Sequence, residues 1–405
     1  MAVTHDHARL RQLRRHHEHL VITELSRSGP LSRGELIRKT GLSRTTLFAI
    51  IADLVAAGTL VADVAPPSEG RGRGRPAQTV AINPTAGSYL GVDIGRAHVH
   101  MVILNAAHQN VAHGSTRFPT DARWPVRIRK ALELVEGIAT QQDVSLAGLR
   151  GIGLALQGLV EESKTARRPS PRDSAGLVTA RFRQWRDAPI AVENNARTAA
   201  LAEQTWGAAR GVDDVLYIRC SDGVSGGLIA AGQLLRGAHG AAGEIGHVQV
   251  NPRGPDCYCG SRGCLELYIG IPALLRQCVT AGRPIDDAAT LVELARAGDR
   301  VVQSVVMKAV RILGSVVAST ATQFDPSRII VAGELAKLGD LIMEPLRETV
   351  ARTALPTAAR GISVTRSTLG EDASALGAIA QLLRAEGGDI GMMSISAQHG
   401  AEWQA

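Results

Sequence analysis

Residues 243–247 read Gly-Glu-Ile-Gly-His, and residues 257–266 read Cys-Tyr-Cys-Gly-Ser-Arg-Gly-Cys-Leu-Glu. This stretch supplies one imidazole and three thiols as a candidate tetrahedral Zn²⁺ set: His247, Cys257, Cys259 and Cys264. The tight Cys-x-Cys spacing, together with Gly260 and Gly263, lets a short loop fold around one ion. Because four protein ligands leave no open position for water, we expect a structural zinc ion. A reduced, buried cysteine cluster without metal is the alternative.

Two carboxylates, Glu244 and Glu266, stand beside these ligands, and zinc does not need them once three thiolates neutralise its charge. Carboxylates accept hydrogen bonds from paired hydroxyls, so the loop is able to present acceptors to a polyol such as a sugar. A zinc-bound histidine also has its ring fixed through its second nitrogen. The stretch therefore predicts a sugar contact, with two surface glutamates as the alternative.

Length and composition indicate a soluble globular protein with two or three domains. The chain has 405 residues, of which 45% are hydrophobic and 3% aromatic, which predicts a core of Ala, Val and Leu. Residues 1–20 are rich in Arg and His and lack an apolar segment, so we expect no signal peptide. Since an uninterrupted apolar run of about 18 residues is also lacking, we expect no membrane partner. Five cysteines, three of them near one histidine, suit a reducing cytoplasm.

The formal charge of +7 is unevenly distributed along the chain. Residues 1–82 contain 12 Arg and Lys against 7 Asp and Glu, whereas residues 83–405 contain 33 against 31. Most of the positive excess therefore lies in the first fifth of the chain. This asymmetry predicts a nucleic-acid-binding module ahead of a nearly neutral body, with a merely solvated basic segment as the alternative.

The N-terminal sequence predicts a helix-turn-helix. Helical spacing of apolar residues predicts a helix over 10–25, and Ser32 with Glu35 forms a capping box for a second helix that stops at Gly41. Ser43 then caps a third helix, whose inward residues are Leu47, Ile50, Ile51 and Leu54. In such a motif the N-terminal residues of the last helix contact base edges. This assigns DNA contacts to Ser43, Arg44, Thr45 and Thr46.

Residues 59–64 and 78–82 predict a two-stranded hairpin that follows these helices, as in a winged helix. The loop of the hairpin reads Arg-Gly-Arg-Gly-Arg-Pro over 71–76 and is too rich in glycine to fold by itself. Guanidinium groups on such a thread enter a narrow A·T-rich minor groove, where the negative potential is deepest. We therefore expect Arg73 and Arg75 to contact DNA, with a flexible basic linker as the alternative.

The remaining sequence predicts an α/β protein built from two similar halves. Apolar strands and helices alternate from residue 89 to about 206, and strands at 215–219 and 226–230 restart a similar order. A long helix over 301–324, apolar on most faces, and a strand over 329–333 follow. Such a repeat predicts two lobes with a ligand-binding cleft between them.

Several motifs together resemble the ROK family (repressors, open reading frames and sugar kinases), and more narrowly its NagC/XylR-type transcriptional regulators. They are the zinc stretch, Asp93-Ile94-Gly95, Glu193-Asn194-Asn195-Ala196 and Gly74-Arg75-Pro76, and the resemblance covers about residues 10–383. It implies a two-lobed actin-like and hexokinase-like ATPase-type fold with a zinc loop that supports a sugar site. By motif position it implies His247, Cys257, Cys259 and Cys264 as zinc ligands, and Asn194, Glu244, His247 and Glu266 as sugar contacts. Asn195 is retained as a further sugar contact, because an amide both donates to and accepts from hydroxyls.

The chain departs from the family's kinase pattern at four positions. Asn195 replaces the aspartate that takes the proton, and an amide cannot act as that base at neutral pH. Arg96 crowds the first phosphate turn, Asp222 places an acid in the second, and Glu334 replaces a glycine at the adenosine end. We therefore predict no catalytic residues and no phosphoryl transfer. Four arginines, at 96, 167, 168 and 172, could bind an anion, so an anionic sugar such as a sugar phosphate is a possible effector. The alternative is that these arginines lie on basic surface loops.

The sequence thus predicts a cytoplasmic, sugar-responsive repressor that binds operator DNA as a homodimer or homotetramer. The predicted domains are a winged helix-turn-helix at 1–83, a first α/β lobe at 84–200, and a second lobe at 201–405 whose last helices return to the first lobe. A sugar bound between the lobes would favour one interlobe angle and move the DNA-binding units out of half-site register. The alternatives are an active sugar kinase with an attached DNA-binding domain and a ligand-independent regulator with a vestigial sugar site.

Overall fold

The structure, a computed structural model, describes residues 2–64, 79–158 and 174–385. The predicted DNA contacts Arg73 and Arg75, and the basic segment 167–172, lie outside the described residues. The N-terminal unit consists of α1 Ala2–Ser28, β1 Leu31–Ser32, α2 Arg33–Thr40, α3 Arg44–Ala56, β2 Leu60–Val64 and β3 Thr79–Ile82. Its strands pair antiparallel in the order β1-β3-β2, so the predicted pairing of β2 with β3 is present and β1 is an addition.

The helix ends of this unit form as the sequence predicts. The Ser32 hydroxyl accepts a hydrogen bond from Glu35 N at 3.3 Å, and the Glu35 carboxylate accepts one from Ser32 N at 2.8 Å. Gly41 follows α2 with φ 68°, and the Ser43 hydroxyl accepts from Thr46 N at 3.1 Å to cap α3. The predicted inward residues of α3 are all buried: Leu47, Ile50, Ile51 and Leu54. One side of α3 is therefore fixed in a core, and its first turn is left at the surface.

A first sheet and its helices follow the N-terminal unit. They are β4 Ser88–Ile94, β5 His98–Asn105, β6 Asn110–Arg117, α4 Trp124–Gln141, β7 Leu149–Leu156, α5 Ser174–Trp185, β8 Ile190–Asn194 and α6 Asn195–Thr205. The strand order is β6-β5-β4-β7-β8, with β4, β5 and β6 antiparallel and β7 and β8 parallel to β4. The strands β4, β5, β7 and β8 were readable from their apolar runs, whereas β6 is a polar edge strand that carries no such run.

The second sheet repeats this topology. Its elements are β9 Val215–Cys220, β10 Val224–Ala230, β11 Gln233–Leu235, α7 Glu266–Ile269, α8 Ile271–Thr280, α9 Ala288–Arg296, α10 Arg300–Phe324, β12 Arg328–Ala332, α11 Asp340–Thr353, α12 Pro356–Ala359, β13 Ser363–Arg366 and α13 Ala373–Ala385. The order β11-β10-β9-β12-β13 again places an antiparallel triplet beside two parallel strands. The predicted duplication of an α/β unit is therefore confirmed.

Helices α6 and α13 pack against each other between the two sheets and form one hydrophobic cluster with both. The two helices approach closely because Gly377 lacks a side chain: a Cβ there would lie 1.7 Å from Thr198 O. The buried Glu203 carboxylate on α6 accepts hydrogen bonds from Thr368 N at 3.0 Å and Leu369 N at 3.2 Å, just before α13 begins. This helix pair packs against both sheets and joins them through one hydrophobic cluster.

Helix α10 is long and apolar enough to pass a length and composition test for a membrane span, and among the described residues it is the one helix that does so. However, 56% of the residues in its most apolar window are buried inside the protein. Its inward side belongs to the hydrophobic cluster beneath the second sheet. A buried core helix passes the same test, and α10 was predicted as one.

Candidate functional site

The segment between β11 and α7 folds into a compact loop that carries the four predicted metal ligands. Backbone hydrogen bonds close it, from Cys257 N to Ser261 O at 2.7 Å and from Val250 N to Gly263 O at 2.8 Å. Gly263 has φ 63°, and a Cβ there would lie 1.7 Å from Asn251 O, so a side chain has no room. The loop geometry therefore depends on glycine at this position.

The four predicted ligands lie together. Their ligand atoms, from His247, Cys257, Cys259 and Cys264, all lie within 4.8 Å of one another. The Cys259 and Cys264 sulfurs are 3.7 Å apart, and His247 Nδ1 is 3.7 Å from the Cys257 sulfur. With Zn–S bonds of about 2.3 Å, a tetrahedral site has S–S edges of about 3.8 Å. Burial, with the neighbouring thiols, raises the pKa of Cys264 to about 12, so a cation is needed to hold it as a thiolate. These residues fit a four-coordinate metal ion.

The ring of His247 uses its two nitrogens for two different partners. Nδ1 faces Cys257 within the cluster, and Nε2 lies 3.1 Å from the hydroxyl of Tyr258. The two rings meet edge-on, with centroids 5.2 Å apart and an interplanar angle of 82°. Tyr258 therefore contacts the ring nitrogen that does not face the cysteine cluster.

Glu244 interacts electrostatically with His247 and Glu266, and Glu266 does so with Tyr258. We call these four residues the zinc-loop pocket: Glu244, His247, Tyr258 and Glu266. Burial raises the pKa of Glu244 and the charge of Glu266 adds to the rise, whereas His247 and Arg197 oppose it. Glu266 Oε2 accepts a hydrogen bond from Val224 N at 2.9 Å. The two carboxylates are thus close enough to interact, and each remains a hydrogen-bond acceptor for a ligand.

Asn194 and Asn195 are held by contacts inside the protein. Asn194 caps α6: its side-chain oxygen accepts from Ala196 N at 2.9 Å and Arg197 N at 3.2 Å, and its amide donates to Gly158 O at 2.9 Å. Asn195 is buried and donates to Asp93 Oδ1 at 3.3 Å. Of the five predicted sugar contacts, the structure groups Glu244, His247 and Glu266 together, and it gives the two asparagines structural partners.

A buried ion pair links the start of α6 to the loop that leads to Glu244. Arg197 is fully buried; its Nε donates to Glu193 at 2.8 Å and its Nη1 to Gly240 O at 2.6 Å. Arg236 Nε donates to the second oxygen of Glu193 at 2.6 Å. A buried charge is tolerated when it is paired and hydrogen-bonded in this way. The arrangement fixes the Glu244 loop against the helix that carries Asn194 and Asn195.

At the other end of the same cleft, charged side chains of the two sheets pair with each other. Asp93 on β4 is fully buried, and its Oδ2 lies 3.6 Å from His98 Nε2 and 3.8 Å from Arg219 Nη1 of β9. Burial acts to raise the pKa of Asp93, but the hydrogen bond and charge of His98 and the charge of Arg219 outweigh it and lower the pKa. This aspartate is therefore neutralised by protein groups.

The pairing continues to the segment before α13. His100 Nε2 lies 3.7 Å from Glu371 Oε2, and His100 Nδ1 lies 3.8 Å from Asp372 Oδ1. The second carboxylate oxygen of Asp372, Oδ2, lies 3.4 Å from His113 Nδ1. Burial lowers the pKa of His100 to about 4 and raises that of Asp372 to about 6. We call the whole set the inter-sheet charge network: Asp93, His98, His100, His113, Arg219, Glu371 and Asp372.

The predicted DNA contacts on α3 lie at the surface. Ser43, Arg44 and Thr45 are exposed and Thr46 is half-buried; the hydroxyls of Ser43 and Thr46 are 2.8 Å apart. The sequence did not mark Phe48, which is 41% exposed one turn further along the helix. The guanidinium carbons of Arg33 and Arg44 each lie 5.4 Å from the centre of its ring, and such stacking restricts both arginines.

With this geometry in hand, the chain can be compared with known proteins. The sequence model of the ROK family matches residues 89–385, well over half of the chain. The chain belongs to the ROK family. A crystal structure of a ROK family transcriptional regulator, a homolog of the E. coli MLC protein, matches with a TM-score of 0.71 over 90% of this ROK protein and 95% of that chain, at 23% identity. The mixed α/β, sugar-kinase-like fold that the sequence predicts is confirmed.

Two curated relatives of this ROK protein differ in how much of it they match. The "Xylose repressor" of Bacillus spizizenii is 26% identical over 370 residues, which is 88% of this chain and 92% of the repressor. The "Glucokinase" of Halalkalibacterium halodurans is 30% identical over 326 residues, which is 71% of this chain and 93% of the kinase. The family match begins at residue 89, so the N-terminal unit precedes the ROK body. The repressor thus matches a larger share of this chain than the kinase does.

The sequence prediction missed several side chains in these sites, among them Arg197, Tyr258 and Arg219. Arg197 directly follows the motif Glu193-Asn194-Asn195-Ala196, but this motif assigns it no role. Tyr258 occupies the variable position of Cys-x-Cys, to which ligand spacing assigns no role. Arg219 reaches Asp93 only because β9 and β4 face each other across two sheets, which a local pattern does not reveal. Only Arg219 was missed for that reason, because the ion-pair partner of Arg197 and the hydrogen-bond partner of Tyr258 lie four and eleven positions away in sequence.

Proposed function

We propose that this ROK protein is a cytoplasmic, sugar-responsive transcriptional repressor that binds operator DNA as a homodimer or homotetramer. In this proposal residues 1–83 are a winged helix-turn-helix, residues 84–200 and 201–405 are the two lobes, and the ROK body binds a sugar without phosphorylating it. The observation that carries the proposal is the N-terminal unit ahead of the ROK body, with the first turn of α3 exposed.

DNA binding is supported by how this unit presents polar and basic groups. Helix α3 buries its apolar side, so its first turn is free to enter a major groove with Arg44, Thr45 and Thr46 toward the base edges. Ser43 serves the helix cap and stands near the phosphates. Arg73 and Arg75 are proposed as minor-groove contacts on sequence grounds alone. The named xylose repressor, which matches most of this chain, supports the same function.

The sugar site is proposed at the zinc-loop pocket, with a structural Zn²⁺ on His247, Cys257, Cys259 and Cys264. Glu244, His247 and Glu266 would accept from or donate to sugar hydroxyls, and the ion would hold their loop in place. Asn194 and Asn195 are proposed as secondary contacts, because each already has a protein partner. A ligand here touches the loop that Arg197 and Arg236 tie to α6, which is the helix that joins the sheets.

Kinase activity is the alternative, and the phosphate end of the cleft argues against it. Phosphoryl transfer needs a base near the sugar hydroxyl, but Asn195 is an amide that donates to Asp93. It also needs backbone N–H groups that are open to phosphate, but Val224 N is bonded to Glu266 and Ser221 N to Gly223 O. Arg219 Nη1, 3.8 Å from Asp93 Oδ2, also places a protein cation beside this aspartate. The named glucokinase relative makes this alternative worth a direct test.

The proposal is tested by selecting duplexes from random-sequence DNA with full-length, zinc-replete protein. Binding of the selected duplex is then measured with and without D-xylose, D-glucose, N-acetyl-D-glucosamine and their 6-phosphates. We expect a pseudo-palindromic site whose affinity falls at least about 5-fold with one sugar, within the usual range of allosteric coupling. If the protein enriches no DNA sequence, the proposal that it is a transcriptional regulator is overturned. DNA binding that no sugar changes supports the ligand-independent alternative, and ADP release with a hexose supports the kinase.

A further inference from the structure

We propose that Tyr258 is a gate of the sugar site. In the sugar-free protein its phenol occupies the place on His247 that a sugar hydroxyl takes in the complex, so sugar has to displace it. The inference rests on the proposed function, because the sugar site is itself a proposal. It assigns a role to a residue that lies in the variable position of the metal-binding motif.

The position of Tyr258 suits a gate because its backbone is anchored while its side chain is not. The residue stands between two metal ligands, Cys257 and Cys259, so ion binding fixes its Cα. Its side chain is 73% exposed and touches the His247 ring edge-on. Few packing contacts therefore oppose rotation of the ring away from the histidine, and χ1 rotation of an exposed side chain is fast.

The chemistry of His247 makes the contact competitive. Nδ1 lies on the side of the cluster, 3.7 Å from the Cys257 sulfur, so it is the nitrogen that binds the metal. A neutral imidazole that binds metal through Nδ1 carries its proton on Nε2. With Nδ1 on the metal, this single N–H would donate to the Tyr258 hydroxyl, whose oxygen lies 3.1 Å from Nε2. A sugar hydroxyl that accepts from the same N–H takes the place of the phenol.

The phenol also lies in the pocket in which the sugar would bind. Partial burial of the hydroxyl raises the pKa of Tyr258, and the carboxylates of Glu266 and Glu244 raise it further. The phenol is therefore within electrostatic reach of both carboxylates that we assign to the sugar. Displacement of the phenol frees the Nε2 side of His247, which makes one movement sufficient to open the site.

The test compares wild type with Tyr258→Phe by calorimetric titration of the zinc-loaded, full-length protein. The probes are D-xylose, D-glucose and N-acetyl-D-glucosamine. Phenylalanine keeps the ring but removes the competing acceptor, so the sugar that binds is expected to bind about 3- to 10-fold more tightly, as for one net hydrogen bond. Tyr268→Phe is the matched control: its hydroxyl accepts from Asn251 Nδ2 at 3.0 Å in the same loop, and we expect unchanged sugar affinity. Both variants are expected to retain one zinc per chain.

A second readout needs no sugar. In ¹⁵N-histidine-labelled, zinc-loaded protein, the Nε2 proton of His247 should exchange with water at least about 3-fold faster in Tyr258→Phe than in wild type, because the variant lacks its acceptor. Equal exchange rates overturn the gate. Equal or weaker sugar binding by Tyr258→Phe also overturns it, and weaker binding would make the phenol a sugar contact. If neither protein binds any of the sugars, both the proposed sugar site and the proposed gate are overturned. If wild type binds a sugar and Tyr258→Phe does not bind it more tightly, only the gate is overturned.

Discussion

The two ends of the cleft in this ROK protein use charged side chains in opposite ways. In the inter-sheet charge network, Asp93 is surrounded by Arg219, His98 and Asn195, so its charge is neutralised inside the protein. In the zinc-loop pocket, burial raises the pKa of Glu244, and the charge of Glu266 adds to the rise. Charges that pair with each other stabilise the fold, whereas unneutralised acceptors are kept for a ligand. Under the proposed function, the same scaffold would separate stability at one end from sugar binding at the other.

The largest expected effect comes from breaking the zinc-loop pocket at its metal. Cys264→Ala removes a fully buried ligand, and a three-ligand site binds zinc far more weakly. We expect zinc content to fall from one ion per chain to near zero, sugar affinity to fall more than about 10-fold, and the melting temperature to fall by about 10 °C. Metal analysis, calorimetry and thermal unfolding measure these three quantities.

A matched thiol serves as the control for this change. Cys278 on α8 is also fully buried but lies outside the metal cluster of the described residues. Cys278→Ala removes the same atoms from a packed core, so we expect a small loss of stability with zinc and sugar binding intact. Cys264→Ala that keeps one zinc ion and wild-type sugar affinity would contradict a metal-supported pocket.

The second prediction breaks the inter-sheet charge network. Arg219→Met leaves Asp93 buried without its cationic partner, and removal of one member of a buried pair costs about 3 kcal/mol. We expect that loss in the free energy of unfolding in urea, with sugar affinity changed less than about 2-fold. The double variant Asp93→Asn, Arg219→Met should recover at least half of the loss, because the unpaired charge is gone. No recovery would mean that Arg219 acts by packing.

This contrast also explains what the sequence could and could not predict. Ligand spacing and capping are local, so the metal cluster, the Ser32–Glu35 box and the buried side of α3 were all readable. The duplication was readable because each half repeats apolar strands in the same order. The polar edge strand β6 and the strand β1 of only two residues offer no such pattern. Local periodicity therefore predicts the central elements of the fold better than the strands at the edges of its sheets.

The sites were less predictable than the fold for a similar physical reason. The structure gives Asn194 a helix-capping role and pairs Asn195 with Asp93, which is 102 positions earlier in the chain. Arg219 and His98 are 121 positions apart, and only the facing of two sheets brings them together. Which polar group is already satisfied is a property of the packed structure. A motif assigns residue types to a site, but it does not show which partners compete for them.

The third prediction uses pH to separate the two ends. Burial raises the pKa of Asp372 in the network to about 6, above its value in an unfolded chain. The folded protein therefore takes up this proton before the unfolded chain does, so the cost of the buried charge is present above about pH 6 and is relieved as pH falls. Relative to Asp372→Asn, wild type should gain about 2 kcal/mol of unfolding free energy between pH 7 and about pH 4.5.

The comparison with Asp372→Asn is needed because His100 has the opposite sign. Its pKa is lowered to about 4, so the unfolded chain binds a proton first and stability is lost as pH falls below about 6.5. Wild type and Asp372→Asn both contain His100, so the difference between their free energies of unfolding removes most of the His100 effect. Asp340→Asn, at a side chain that is 79% exposed, should give a curve parallel to wild type. Parallel curves for Asp372→Asn as well would contradict a buried, charge-coupled network.

The smallest expected effect is also the sharpest test of the comparison. Glu244→Gln keeps the shape of the side chain and removes its charge, so a sugar hydroxyl would bond to a neutral acceptor in place of a carboxylate. Hydrogen bonds to charged groups contribute about 1 kcal/mol more than neutral ones, which corresponds to roughly a 5- to 10-fold loss of sugar affinity in calorimetry. The free energy of unfolding should stay the same or rise slightly, because a half-buried carboxylate beside Glu266 is relieved of its charge. Asp93→Asn should give the reverse result, with stability lost and sugar affinity retained, because its charge is used inside the protein. If both substitutions change the same quantity, the two ends of the cleft are not divided between binding and stability.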